Sequence, residues 1–197
     1  MKSLVTLFSL LPLLIFGQQK AVTNSPFAVD LVFSPDAYAP PQVAADAGFY
    51  QESAYRAGVN VVSDLADNSR WSFRSGLRYV VYNRRIEGFH FDSSGLKTSI
   101  SHEKITYFDV PLFFRYSVGK KKLKFYAELG GGLDFSPNVT AKKVQTYWGL
   151  SLGLEYRFHS RFSIFAQPTF RKPMPRSNIY FFSAGIETGI KFRLPEY

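Results

Sequence analysis

Cysteine is missing from all 197 residues, and that absence removes several chemistries. No disulfide, thiolate metal centre, cysteine nucleophile or acylated lipoprotein cysteine can be built from this chain. Long apolar runs are nearly as scarce. Beyond the N-terminus no stretch approaches the about eighteen apolar residues that a membrane helix needs, so no transmembrane helix is expected. Histidine is thin: His90, His102 and His159 are scattered, and no pair has metal-ligand spacing on one strand face. Acids are outnumbered, with 15 Asp and Glu against 24 Lys and Arg, a formal charge of +9.

The one apolar run is MKSLVTLFSLLPLLIFG, where Lys2 precedes an uncharged core from Leu4 to Phe16. It is too short to span a bilayer and is charged only at its start, the pattern of a secretory signal peptide. The domain reading is therefore a signal peptide over residues 1–17 and a barrel over 18–197. Ile15 is large for the position three before the cut, so the site is open by a few residues.

What the chain has in abundance is aromatics, 20 Phe and 12 Tyr, set in period-two alternation. Between Ala54 and Tyr82, Tyr55, Ala57, Val59 and Val61 share one face and Arg56, Gly58 and Asn60 the other. After a break at ADNSR, Trp71, Phe73, Leu77, Tyr79 and Val81 oppose Ser72, Arg74, Gly76 and Arg78. Side chains alternate across a strand, so these are two long strands joined by a tight turn. The same pattern predicts a first strand from Phe27 to about Ser34, ended by Pro35, and further strands around 107–116, 123–134, 144–158, 162–171 and 180–192. Irregular stretches are expected at Asp36–Ser53 and Arg84–Glu103, and a bulge or local irregularity at the mid-strand prolines Pro111 and Pro168. Short turns at Ala66–Ser69, Val118–Lys121 and His159–Ser160 alternate with the longer connections.

Eight strands with short turns at one end and long connections at the other describe an all-β, eight-stranded antiparallel up-and-down transmembrane β-barrel preceded by a signal peptide. In lipid only a closed barrel satisfies every strand edge, which places the chain in the bacterial outer membrane. A soluble barrel with its apolar face inward is disfavoured. Its narrow interior could not hold that many Phe, Tyr, Leu and Trp side chains, whereas the glycine-rich polar face suits a cramped lumen. Aromatics also gather at strand ends, as interface belts require: Trp71, Tyr116, Phe162 and Phe192 at one level, Phe108, Trp148 and Phe170 at the other.

The inward charges must then meet one another. The expected lumen network comprises Asp30, Arg56, Arg74, Arg78, Asp109, Arg115, Glu128, Glu155 and Glu187, since an unpaired charge in a narrow interior costs on the order of several kcal/mol. A salt-bridged plug without a water channel and a partly hydrated lumen both fit these residues.

Three runs carry a family likeness. YFDVPLFFRY (Tyr107–Tyr116), SGLRYVVYNRR (Ser75–Arg85) and FYAELGGGLDF (Phe125–Phe135) resemble strands of the outer-membrane β-barrel domain proteins abundant in Bacteroidetes, with PorT-like and OmpA-like eight-stranded barrels among them. The likeness spans about Phe27 to Leu194. It implies an eight-stranded outer-membrane barrel, and its PorT-like members suggest a part in protein secretion. It brings no catalytic residues.

For function, the residues suggest a non-enzymatic barrel acting through its outside connections in binding or envelope assembly. No catalytic, metal-binding or cofactor-binding residue is assigned, and no cofactor is expected. The expected partners are outer-membrane lipid, lipopolysaccharide and other envelope proteins. Nucleic acid is not among them, because the basic residues fall in the lumen or at strand ends, where lipid phosphates lie. The alternatives are a barrel enzyme acting on lipid or peptide, through His90 with Asp92 and Ser93 or Ser94, or His102 with Ser101 and Glu103, and a small-solute channel.

Overall fold

The computed structural model describes residues 26–39, 47–66, 69–93, 95–120, 122–136, 144–174 and 182–194. The signal-peptide reading of residues 1–17 lies outside them. Eight strands run in chain order: β1 (Phe27–Ala39), β2 (Ala47–Asp64), β3 (Trp71–Asp92), β4 (Gly95–Lys120), β5 (Leu123–Phe135), β6 (Val144–Arg157), β7 (Phe162–Met174) and β8 (Phe182–Arg193). Each pairs antiparallel with the next, and β1 pairs with β8, so the sheet closes without an edge.

Alternation becomes geometry in this barrel. On β5, Leu129 is 62 % exposed while its neighbour Glu128 is fully buried. The apolar residues face out on every strand, Leu31, Leu77, Phe114, Leu152 and Ile186 among them, each more than half exposed. A soluble protein rarely exposes so continuous an apolar band. Here hydrocarbon covers it. Ring pairs bracket the band: Trp71 with Tyr116 at 4.8 Å and Phe162 with Phe192 at 5.1 Å at the short-turn end, Tyr79 with Phe108 at 5.8 Å and Trp148 with Phe170 at 5.6 Å towards the other.

Two expectations need correction. First, β1 does not end at Pro35. It continues to Ala39, which carries Asp36 and Tyr38 onto the inward face. Second, the stretches read as irregular are largely strand. β2 begins at Ala47, and Arg84–Glu103 forms the far half of a β3–β4 hairpin in continuous register from Tyr82↔Ile105 to Asp92↔Gly95. Its tip turns at Ser93, with Gly95 at φ +115°, a conformation glycine adopts without a Cβ penalty. At 22 and 26 residues, β3 and β4 are at least twice the about 9–11 residues that cross a bilayer.

At the mid-strand prolines, of the two expected outcomes the structure shows a local irregularity and not a bulge. Pro111 keeps its pairing with Gly132 on β5, while the rows between Arg78↔Asp109 and Ser75↔Leu112 drop out of the β3–β4 ladder without a change of register. Pro168 does the same, paired with Ile186 and leaving a gap towards β6, and so does Pro35, paired with Tyr55 and leaving a gap towards β8. A proline lacks one N–H, so it opens one ladder and leaves the opposite one intact. The register shift among the described residues lies elsewhere, between Gln51 and Ser53 on β2.

Candidate functional site

Inward alternation buries polar side chains in the lumen, where many of them pair with one another while some polar atoms, both Asp30 carboxylate oxygens among them, have no hydrogen-bond partner among the described residues. Arg74 on β3 lies between Glu128 on β5, at 2.7 Å, and Glu187 on β8, at 2.5 Å. Arg78 shares Glu187 at 2.9 Å, takes Asn60 Oδ1 at 3.0 Å and stands 3.8 Å from Asp109. Asp109 in turn accepts from Arg171 at 2.6 Å and from the Tyr147 hydroxyl at 2.7 Å. Towards the short-turn end, Arg115 pairs with Glu128 at 2.6 Å and stands 3.9 Å from both Glu155 and Asp30. Glu155 is held by Lys191 at 2.5 Å and by Ser163 at 2.9 Å. Gln167 bridges the centre, donating to Glu128 at 3.2 Å and Glu187 at 2.9 Å.

The chain Lys191–Glu155–Arg115–Glu128–Arg74–Glu187–Arg78–Asp109–Arg171 thus crosses the barrel from end to end, with Asp30 beside Arg115. Arg56 and Asp36 form a further pair at 2.6 Å. Six cations in these contacts, Lys191, Arg115, Arg74, Arg78, Arg171 and Arg56, meet six acids, Glu155, Glu128, Glu187, Asp109, Asp30 and Asp36. All are at most 7 % exposed, so an ion entering this region would have to displace a charge-assisted bond. The guanidinium faces are used as well: Arg115 lies over the Tyr126 ring at 4.0 Å and Arg171 over Tyr147 at 4.7 Å. Gly153 and Gly132 make room for these two rings, since a Cβ at either would run into the phenol it faces.

All nine predicted network residues face inward, and eight of them join the chain or flank it. Arg56 instead binds Asp36, near the outer end. Sequence reasoning missed Asp36, Arg171 and Lys191 as members. Arg171 and Lys191 stood on the inward face by parity and needed only to be counted. Asp36 was hidden by reading Pro35 as a strand end, although Ser34, Asp36 and Tyr38 continue the alternation.

Above the charges, Tyr38, Ala54, Val80, Tyr82, Ile105 and Tyr107 form a buried cluster in the outer part of the lumen. Tyr38 and Tyr107 both pack edge-on to Tyr82, at 4.7 and 5.7 Å. Beyond it the sheet of β2, β3 and β4 continues outward, tied by Arg84–Glu103 at 2.6 Å, Asn83 to Ser53 at 2.8 Å, and Arg85 stacked over Tyr50 at 5.0 Å. The hydrolase-like grouping around His102 does not converge. His102 Nδ1 lies 2.8 Å from Glu52, Glu103 binds Arg84, and strand alternation turns Ser101 and Glu103 to the face opposite His102. His90 stands farther out, paired with Lys97.

A family model described as outer membrane protein beta-barrel domain matches residues 49–190. Among solved structures, the outer membrane protein OprG from Pseudomonas aeruginosa is similar in fold, with a TM-score of 0.51 at 12 % identity over 87 % of this chain and 97 % of that one. Neisserial surface protein A gives 0.48 at 12 % identity, over 88 % of this chain and all of that one. The N-terminal β-barrel domain of OprF, also from Pseudomonas aeruginosa, gives 0.47 at 16 % identity, over 87 % and 100 %. No curated protein matches.

Proposed function

The chain belongs to the outer membrane protein beta-barrel domain family and lies in the bacterial outer membrane, and from that premise we propose that it is a non-enzymatic, non-conducting barrel that works through its outward sheet. The carrying observation is the lumen. Six buried bases meet six buried acids in its network, and a cluster of buried aromatic and aliphatic side chains from β1 to β4 lies above them. A tube filled this way has no room for a substrate path, so activity belongs to the surface. That surface is the β2–β3–β4 extension, whose strands beyond Tyr82↔Ile105 reach roughly 30 Å farther at about 3.3 Å per residue. Leu96 and Ile100 are 58 and 57 % exposed there, where no hydrocarbon covers them.

The finer reading is a PorT-like barrel of the Bacteroidetes type that binds another envelope protein and supports assembly or secretion, with outer-membrane lipid and lipopolysaccharide around its wall. Two measurements test this. Pure protein in a planar lipid bilayer should give no stable conductance steps; large steady steps would overturn the closed lumen. Replacing residues 86–99 by a two-residue turn should leave a folded barrel that no longer forms the cross-linked adduct of the full chain in intact membranes. An unchanged adduct would move the partner surface elsewhere.

A further inference from the structure

The short-turn mouth, which is the periplasmic end in barrels of this kind, carries basic side chains outside the ion-pair chain of the lumen above it. Ser69 and Arg70 of the β2–β3 turn, Ser117, Val118 and Gly119 at the end of β4, and Lys124 of β5 are the described residues that line a cleft of about 310 Å³. The Ser117 N–H donates to the Arg70 carbonyl at 2.7 Å, which fixes the two segments against each other. Lys124 also lines a narrow slot of about 20 Å³ that runs inward to Arg115 and Glu155, room for about one water.

Lys124 is half-buried and faces the lumen, yet it makes no hydrogen bond or ion pair with any described residue. The acids that could neutralise it are engaged: Asp64 with Arg193 at 3.8 Å and Glu155 with Lys191. Arg70 is exposed and spends one nitrogen on the Tyr116 hydroxyl at 3.3 Å. Ser69 Oγ accepts from the Trp71 N–H at 2.9 Å, so its own hydrogen is free to be donated. A guanidinium, an ammonium and two hydroxyls therefore line one open cleft, and the described acids nearest Lys124, Glu155 and Asp64, lie on the inward slot and are already shared with Lys191 and Arg193.

We infer that this cleft binds a phosphate group, with Lys124 and Arg70 as charged donors and Ser69 and Ser117 as hydroxyl donors. Arginine's fork and lysine's point charge are the usual pair for tetrahedral oxyanions. Val118, 43 % exposed beside the Trp71–Tyr116 belt, sets the cleft at bilayer height, so the phosphate can come from a lipid headgroup of the inner leaflet or from a soluble periplasmic molecule. The cleft lies at the end opposite the projecting sheet, and its failure would leave the role of that sheet untouched.

The test is a titration of inorganic phosphate into the full chain in maltoside micelles, which carry no phosphate, followed by backbone amide shifts. Saturable shifts confined to 69–70, 117–119 and 124 are expected. The Lys124→Met and Arg70→Gln variants, checked as folded by their unchanged amide spectra elsewhere, should each bind roughly tenfold more weakly or worse, the loss of one charge-assisted bond. Repeating the titration in bilayer discs separates the sources. Shifts present in phosphatidylcholine discs and abolished by phosphatidylglycerol assign the site to an anionic headgroup, and shifts that survive in both assign it to a soluble phosphate. Absence of saturable shifts in micelles, or binding unaltered in both variants, overturns the proposal.

Discussion

Arg78 and Arg84 occupy the same face of β3, and the structure uses them in opposite ways. Arg78 is 1 % exposed and shared among Asn60, Glu187 and Asp109 in mid-barrel. Arg84 meets Glu103, 43 % exposed, on the outward sheet. In the first setting hydrocarbon lies outside the wall and little water lies within, so a missing partner leaves a charge without solvation. In the second, water reaches the Glu103 carboxylate and makes good part of what is lost, while the Arg84 side chain itself is 12 % exposed. The comparison teaches that stability resides in the mid-barrel and freedom to vary in the projecting sheet, although one continuous strand builds both.

The strongest way to break this contrast is Arg74→Leu. It takes a cation away from both Glu128 and Glu187, leaving them to Arg115 and Arg78 with one buried negative charge uncompensated, and should cost about 3–5 kcal/mol, read as a loss of urea resistance in lipid vesicles. A cost under about 1 kcal/mol would mean that water already reaches the centre. The pair Arg56 and Asp36 sharpens the point. Arg56→Met alone should approach that penalty, while Arg56→Met with Asp36→Leu should recover most of it, because a buried pair can be replaced by apolar side chains at little cost. Next comes Gly132→Ala, whose Cβ runs into the Tyr147 phenol and presses it off Asp109. Overpacking of this kind should cost about 1–3 kcal/mol in the same assay. At the far end of the scale, Arg84→Ala on the outward sheet should change stability by about 0.2–1 kcal/mol. A loss as large as that of Arg74→Leu would show the sheet to be part of the folding unit.

Much of this was legible in the residues because lipid imposes a strict rule. Tyr79 and Leu129 must face out, and Arg78 and Glu128 in, so parity alone assigned faces on all eight strands. What misled was punctuation. Pro35 read as a stop and Arg84–Glu103 as a loop, since proline, glycine and charge mark irregular segments in most β-proteins. Proline costs a ladder bond on one side only, so β1 runs through Pro35 to Asp36. The hairpin beyond Tyr82 has no lipid to enforce alternation, so its strands left a weaker trace in the sequence.

The sequence by itself determined which side of each strand meets hydrocarbon and which charges enter the tube, because that depends on period two and nothing farther away. Only the closed barrel decided which of those charges meet. Arg74 and Glu187 are 113 positions apart, and Tyr147 and Asp109 38 apart; the tilt and stagger that closure requires bring them together. Those partners follow from strand register around a ring, which no local pattern encodes.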